Sequence, residues 1–379
     1  MQELTQEETA RYSRHIILPN VGLEGQTRLK NARVLITGSG ALGSPVALYL
    51  AAAGVGNIGI VDFDEVDVTN LQRQIIHTNK NVGKLKTESA KEGIERLNPL
   101  VKVTIFNTKL TSENALDIIK DFDIVADCTD NFPARYLIND ACVLLDKPLA
   151  YGSIFRFDAQ SSVFWAKKGP CYRCLFPSPP PPELAPSCGE GGVFGAMAGI
   201  IGSIQANEVI KLILKAPDTL VGRLLVLDAW KMRFTQLSVK KDENCPICGN
   251  KPTIKALIDY DYFCAAKEPE VGSFEDISAR ELKQKIDKGE KINIIDVREP
   301  FEFEMTNIKG SVNIPLNSVV ERKGEIDESK TSVIICKSGV RSVYAINALQ
   351  RGGFKGELLN LEGGILEWAD EIDESIVKY

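Results

Sequence analysis

At 379 residues the chain exceeds one average domain and implies two or three, each able to bury its own core. Its 45 basic and 51 acidic side chains, a net charge of −6, are spread along the sequence and form no basic field that would gather nucleic acid or an anionic membrane. Nine cysteines in a chain this long exclude a small disulfide scaffold, and with only two histidines, His15 and His77, the chemistry falls to carboxylates, lysine, arginine and cysteine.

The N-terminus, Met1-Gln-Glu-Leu-Thr-Gln-Glu-Glu, is acidic where a secretory signal would be basic and then apolar. No apolar run is expected to reach the roughly 20 residues needed to cross a bilayer, so the protein is expected to be cytoplasmic. Residues 7–17 are amphipathic and predict a helix. The run Arg33-Val-Leu-Ile-Thr predicts a strand, which enters the glycine loop Gly38-Ser-Gly-Ala-Leu-Gly43 and then a helix from Pro45. A second strand, Asn57-Ile-Gly-Ile-Val-Asp62, ends on an acid 19 residues past Gly43. Further strands are expected at residues 102–106 and 124–127. This alternation predicts an α/β fold with a Rossmann-like doubly wound sheet. The proline-rich run Pro177-Ser-Pro-Pro-Pro-Pro interrupts the pattern.

Glycines at 38, 40 and 43 permit a tight turn and close backbone approach, so that amide N–H groups face phosphate oxygens. On that pattern alone a dinucleotide fold for hydride transfer is an equal reading. The following run favours a triphosphate instead: Asn70 and Arg73 share one face if the stretch is helical, and Lys86 adds a second cation. Asp130, just past the strand at 124–127, lies at the carboxyl edge where such sheets bind ligands and is suited to hold Mg²⁺.

The stretch from Arg11-Tyr-Ser-Arg-His to Cys188 resembles the adenylyltransferases of the ubiquitin-activating superfamily, the MoeB and ThiF group, over about residues 5–264. The resemblance implies that Asp62 contacts the ribose of ATP, that Asn70, Arg73 and Lys86 contact its phosphates, and that Asp130 holds the magnesium. It further implies a homodimer in which Arg14 reaches the neighbouring subunit's ATP site.

Cys171-Tyr-Arg-Cys174 and Cys245-Pro-Ile-Cys248 present two thiolate pairs with no histidine nearby, the pattern of a closed, structural Zn²⁺ site. The resembling family carries zinc at this arrangement. Cys188 lies among glycines after the proline-rich run, where a thiol can approach a bound acyl group. Its position matches the family's crossover-loop cysteine, and a thioester or a disulfide is expected there. Cys128, Cys142 and Cys264 sit in or near apolar runs and read as packing thiols.

A change of pattern near residues 265–272 predicts a linker between a first domain, 1–264, and a second, 273–379. Within the second, Ile294-Ile-Asp-Val-Arg-Glu, Gly310-Ser-Val-Asn-Ile-Pro and Val333-Ile-Ile-Cys336-Lys-Ser-Gly-Val-Arg341-Ser together resemble a rhodanese domain, a small α/β fold. A cysteine at a strand end, followed by a tight loop and a helix starting near Arg341, meets N–H groups and a positive dipole end that favour thiolate and persulfide. Lys337 and Arg341 suit an anionic donor such as thiosulfate.

The two resemblances together imply an enzyme that adenylates the C-terminal Gly-Gly carboxylate of a small ubiquitin-like sulfur carrier, then converts it to a thiocarboxylate with persulfide from Cys336. The sulfur donor is expected to be a cysteine desulfurase or thiosulfate. Molybdopterin synthesis is the favoured pathway; thiamine synthesis, tRNA thiolation and cysteine formation use the same chemistry. A nicotinamide oxidoreductase and a noncatalytic carrier-docking protein are the rival classes.

Overall fold

The computed structural model describes residues 2–179, 192–265 and 274–378, which fall into two compact units, one on each side of residues 266–273. Cys188 and all but the first residue of the expected linker lie outside the described residues.

The first unit is built on eight strands: β1 (Arg33–Thr37), β2 (Asn57–Asp62), β3 (Lys102–Asn107), β4 (Ile124–Asp127), β5 (Leu149–Phe155), β6 (Asp158–Phe164), β7 (Arg223–Asp228) and β8 (Arg233–Ser238). Their order across the sheet is β3-β2-β1-β4-β5-β6-β7-β8. The first five pair in parallel and the last three join as an antiparallel meander. The strands near the centre read as unbroken apolar runs because both faces are covered. In β1, Val34 and Ile36 point into one core with Val46, Leu50 and Val209, while Leu35 points into the other with Tyr136, Ile138 and Phe122. The chain leaves β1 toward β2 and β3 on one side and returns to β4 on the other, which opens a crevice between the carboxyl ends of β1 and β4.

Two expectations are corrected here. Residues 7–17 do not form one helix: Gln6–Arg11 and Ser13–Ile16 are separate, broken at Tyr12, which has φ −96° and ψ 13°. The break turns the Tyr12 side chain inward, where its hydroxyl accepts from Asn98 Nδ2 at 2.8 Å. The helix Gly195–Leu214 has 20 residues and is long and apolar enough, by length and composition, to cross a bilayer, contrary to the expectation of no such run. Here it is a core helix that packs against β5 and the helix Gly43–Ala52 and buries Gln205 and Glu208, each hydrogen-bonded.

The second unit is a wholly parallel five-stranded sheet in the order β11-β10-β12-β13-β9, made by β9 (Glu275–Ile277), β10 (Asn293–Asp296), β11 (Val312–Asn313), β12 (Ser332–Ile335) and β13 (Leu358–Leu361). Alternation again splits the central strand: Val333 and Ile335 enter one core with Leu361 and Trp368, Ile334 the other with Ile346 and Leu349.

Candidate functional site

A cleft of about 1000 Å³ occupies the crevice at the carboxyl ends of β1 and β4. Its floor is the glycine loop. Gly38 has φ +93°, a left-handed conformation that favours glycine, and a Cβ on Gly43 would lie 2.0 Å from the Gly38 carbonyl oxygen, so no larger residue fits while the loop keeps its shape. Gly38 and Gly40 line the cleft, while Gly43 begins the helix beneath it.

The acid at the end of β2 holds this loop. Asp62 accepts from the Ser39 N–H at 2.8 Å and its hydroxyl at 3.0 Å, and from the Asp64 N–H at 3.0 Å. A second tie comes from His77, whose Nε2 lies 3.0 Å from the Ser39 carbonyl and whose Nδ1 lies 2.8 Å from Ser89 Oγ. An N–H faces a carbonyl only as a donor, so Nε2 carries the proton and Ser89 donates to Nδ1. Burial holds the His77 pKa below its ordinary value, consistent with a neutral ring.

Arg73 and Lys86 both line the cleft. They do not share a helix with Asn70: Val68–Asn70 is a single 3-10 turn, and Asn70 spends its Oδ1 on the Asp67 N–H as part of a capping box. Arg73 is braced by the Thr69 carbonyl at 3.1 Å, and Lys86 opens the helix Lys86–Leu97 with its Nζ 2.7 Å from Asp64. Asp130 lies beyond β4, exposed and lining the cleft, and its carboxylate has no hydrogen bond or ion pair among the described residues. An open carboxylate above a phosphate-binding loop fits a hard cation. Arg14 is exposed and is not among the residues lining the cleft.

Sequence reasoning missed two cleft residues, Gln74 and Arg135, and one brace behind the loop, Ser39, which sat inside a motif read for its glycines and is buried. Gln74, next to Arg73, is buried with its Oε1 unpartnered and lines the cleft. Arg135 reaches the Thr129 carbonyl and Ser153 Oγ behind Asp130.

The four cysteines of the two CxxC pairs converge, with all four sulfurs within 4.8 Å of one another. Sulfur separations of 3.8 Å for Cys171–Cys174, 3.6 Å for Cys171–Cys245 and 3.4 Å for Cys174–Cys248 approach the ~3.8 Å edge of a tetrahedron with metal–sulfur bonds of about 2.3 Å. The donor set fits Zn²⁺. Arg173, between the first two thiols in sequence, is anchored by a buried network: its guanidinium forks onto Asp140, which also accepts from Tyr260, and rests against the Tyr136 and Phe263 rings, which pack edge-to-face on each other. The remaining thiols differ in setting. Cys128 and Cys142 are buried and pushed up in pKa by burial, though Cys128 also borders the cleft, and Cys264 is half-buried.

In the second unit Cys336 follows β12 and is wholly buried. Gly339, at φ +86°, turns its N–H toward Sγ at 3.1 Å, and the helix Val340–Arg351 starts at once, its N-terminus beside the sulfur. Ser342 Oγ lies 3.4 Å from Sγ. The expected guanidinium is present but already paired: Arg341 forks onto Glu302, buried on the helix Pro300–Met305, at 2.7 and 2.8 Å. The Asp296–Arg298 pair, both residues buried, fixes the segment after β10. Two glycines that sequence reasoning passed over, Gly363 and Gly364, both have positive φ and close on the cysteine loop, where the Ile365 N–H donates to the Cys336 carbonyl at 2.9 Å. A Cβ on Gly364 would fall 2.5 Å from that carbonyl.

Residues 12–247 match the model of the ThiF family and residues 278–371 that of the rhodanese-like domain. The chain is similar along its whole length to a probable adenylyltransferase/sulfurtransferase MoeZ of Mycobacterium tuberculosis (strain ATCC 25618 / H37Rv), 45% identical over 99% of this chain and 96% of that protein. It is likewise similar to an adenylyltransferase and sulfurtransferase MOCS3 of Culex quinquefasciatus, 42% identical over 100% of this chain and 91% of that protein. Among solved structures, E. coli MccB with ATP aligns with a TM-score of 0.56 at 23% identity, covering 65% of this chain and 77% of that one, a likeness of fold.

Proposed function

We propose that this chain, which belongs to the ThiF family and ends in a rhodanese-like domain, activates the C-terminal glycine carboxylate of a ubiquitin-like sulfur carrier with ATP and converts it to a thiocarboxylate. It is an adenylyltransferase and sulfurtransferase of molybdopterin synthesis. The observation that carries this reading is the pairing, on one chain, of a cleft of about 1000 Å³ at a sheet switch point with a cysteine held by the Gly339 N–H at a helix N-terminus.

In the first half-reaction the carrier carboxylate attacks the α-phosphorus of ATP and pyrophosphate departs. The Gly38 and Ser39 amides are committed to Val61 and Asp62, so the phosphates are assigned to the amides from Gly40 onward, with Arg73 and Lys86 stabilising the charge on the departing oxygens. Asp130 would hold Mg²⁺, which neutralises further phosphate charge when bound. Asp62 is assigned the ribose, reached from the carboxylate that also braces Ser39.

In the second, the Cys336 thiolate takes the outer sulfur of thiosulfate or of a cysteine desulfurase persulfide, releasing sulfite or the desulfurase thiol. The resulting Cys336 persulfide attacks the acyl carbon and AMP leaves, giving an acyl disulfide. A second thiol must break that S–S bond to free the thiocarboxylate, leaving a disulfide that a cellular dithiol reduces. Four cysteines are committed to the metal cluster, and Cys128 and Cys142 are buried with raised pKa. Cys188, whose place in its glycine-rich segment matches the crossover-loop cysteine of the resembling family, is assigned the second thiol. A Zn²⁺ at Cys171, Cys174, Cys245 and Cys248 would tie the chain before β7 to the chain after β8. A homodimer is supported by the exposed apolar side chains Ile17, Leu18 and Leu23 near Arg14, the residue assigned to the partner subunit's ATP site.

The test is incubation with ATP, thiosulfate and a Gly-Gly-ended carrier, read by mass for replacement of one carrier oxygen by sulfur. Cys336→Ser should keep carrier-dependent ATP–pyrophosphate exchange and form no thiocarboxylate, because a hydroxyl carries no persulfide. Thiocarboxylate formation at the wild-type rate in that variant would move sulfur carriage to another thiol.

A further inference from the structure

The cleft reaches past the phosphate loop to a segment that the proposed reaction does not use. Leu257, Ile258, Asp259 and Tyr260 line it, although they follow the second CxxC pair in sequence. Two ties hold them there. The Ser112 hydroxyl, in the loop after β3, donates to the Ile258 carbonyl. Tyr260 is buried and opens the helix Tyr260–Ala265; its hydroxyl donates to Asp140 Oδ2 at 2.9 Å, and Phe263 packs edge-to-face on Tyr136 with ring centroids 5.1 Å apart. Asp140 and Tyr136 both stand on the helix Phe132–Leu144 that follows β4. Residues 257–260 therefore span from the loop after β3 to the helix after β4, across one end of the cleft.

The sheet identifies that end. β3 lies beside β2, and Asp62 is in register with Asn107, so the next residue, Thr108, lines the cleft beside the acid assigned to the ribose. A triphosphate on the glycine loop and a ribose at Asp62 direct the base past β2, toward the loop after β3. The lining changes character there. Leu110 and Leu137 are buried in one hydrophobic cluster, and half-buried Leu257 and Ile258 pack against it. The charged lining residues near them in sequence, Lys109, Glu113 and Asp259, are exposed. An apolar slot with a charged rim receives a flat heteroaromatic ring, whereas phosphate needs the amides and cations at the other end.

We propose that Leu257 and Ile258 form the outer wall of the nucleobase pocket, so that a bound nucleotide orders the stretch of chain that leads to the second unit. This rests on ATP occupying the cleft with its ribose at Asp62. Leu257 and Ile258 are half-buried, so each keeps apolar surface that a base can cover. The contact is reciprocal: whatever the wall adds to nucleotide affinity, the nucleotide returns as stability of the wall. The helix Tyr260–Ala265 follows the wall directly and is the last element of the first unit, so occupancy is registered where the connection to the second unit begins.

The test uses the full-length protein with MgATP, and with magnesium tripolyphosphate as a probe that carries phosphates and no base. In Leu257→Ala/Ile258→Ala, calorimetry should show ATP bound about tenfold more weakly and tripolyphosphate bound as in wild type, since the wall touches only the base. The Ile258 carbonyl and its bond from Ser112 are kept in that variant. Should it fail to fold, Ser112→Ala unfastens the wall from the loop after β3 with every apolar side chain in place, and a loss of about threefold is expected for ATP alone. In wild type, amide hydrogen exchange across residues 257–265 should slow several-fold with saturating ATP and stay unchanged with saturating tripolyphosphate.

Unchanged ATP affinity in the variants overturns the proposal, as does an equal loss for both probes, which would place the damage at the phosphate end. Hydrogen exchange across residues 257–265 that ATP leaves unchanged, or that tripolyphosphate slows as much, overturns it too. The nucleotide reading beneath it is decided separately by carrier-dependent ATP–pyrophosphate exchange in wild type. No such exchange refutes that reading; exchange that proceeds while the two probes behave alike refutes the wall alone.

Discussion

Replacing Asp140 by Ala tests how the metal knuckle is joined to the nucleotide-binding unit. Asp140 is fully buried and accepts from Arg173 Nε and NH2, from the Tyr260 hydroxyl at 2.9 Å and from Asn139 Nδ2 at 2.9 Å. Arg173 is 1% exposed, so once the carboxylate is gone its guanidinium keeps no compensating charge and no access to water. Stranding one partner of a buried pair costs about 3–5 kcal/mol, and the two neutral donors lose their acceptor as well. For a unit of this size a loss of about 4 kcal/mol corresponds to a fall in Tm on the order of 10 °C. Because Arg173 lies between Cys171 and Cys174, bound zinc should become easier to remove by a chelator in the same variant. Calorimetry and zinc content on the purified protein give both readouts. Adding Arg173→Met should recover part of the loss, since it removes the stranded charge. A loss below about 1 kcal/mol, or a double variant that sums the two defects, would refute the claim that this pair anchors the knuckle.

Gly43→Ala should lower ATP–pyrophosphate exchange by about a hundredfold, because its Cβ at 2.0 Å from the Gly38 carbonyl forces the phosphate loop open, while thiosulfate-to-cyanide transfer stays intact. Loss of both activities together would point to general misfolding instead. Asp130→Ala should sharply reduce the same exchange and weaken its dependence on Mg²⁺ concentration; an unchanged rate would remove Asp130 from the site. His77 is held below the ordinary histidine value of 6.5 by burial, so above that pH neither the folded nor the unfolded state is protonated and its contribution is intact. As pH falls below 6.5 the unfolded chain takes a proton that the folded one resists, and stability is lost. Denaturation midpoints of wild type should therefore drop across that window by more than those of His77→Gln, and parallel curves would contradict the assignment.

The parts of both sites that were legible in the sequence depend on neighbours in the chain. A glycine loop between a strand and a helix, two CxxC pairs and a cysteine opening a tight loop each announce themselves within a few residues, because backbone turns and paired thiolates set the spacing. The doubly wound sheet was legible for a related reason: strands buried on both faces, such as β1 and β12, are uninterrupted apolar runs. What was not legible joins residues far apart. Asp140 meets Arg173 across 33 positions, Glu302 meets Arg341 across 39, and Asp276 meets Asn360 across 84, and no local pattern distinguishes these side chains from surface polar groups. The split of the first helix at Tyr12 belongs to the same class, since the cause is a hydrogen bond from Asn98.

These long-range partners change what the motif residues can do. Arg341, read from its place in the loop, is a free cation beside a sulfur; with Glu302 forked onto it, the pair carries little net charge and its field at Cys336 is that of a dipole, which falls off faster than a charge. Ser342 has one hydroxyl proton for two acceptors, the Cys336 sulfur at 3.4 Å and Asn360 Oδ1 at 2.6 Å. The stabilisation available to the sulfur therefore rests mainly on the Gly339 N–H and the helix N-terminus, both backbone groups whose direction no side-chain substitution sets. That places the burden on the shape of the loop, and so on Gly339, Gly363 and Gly364, whose positive φ values let the strand end, the loop and the following helix close on one another.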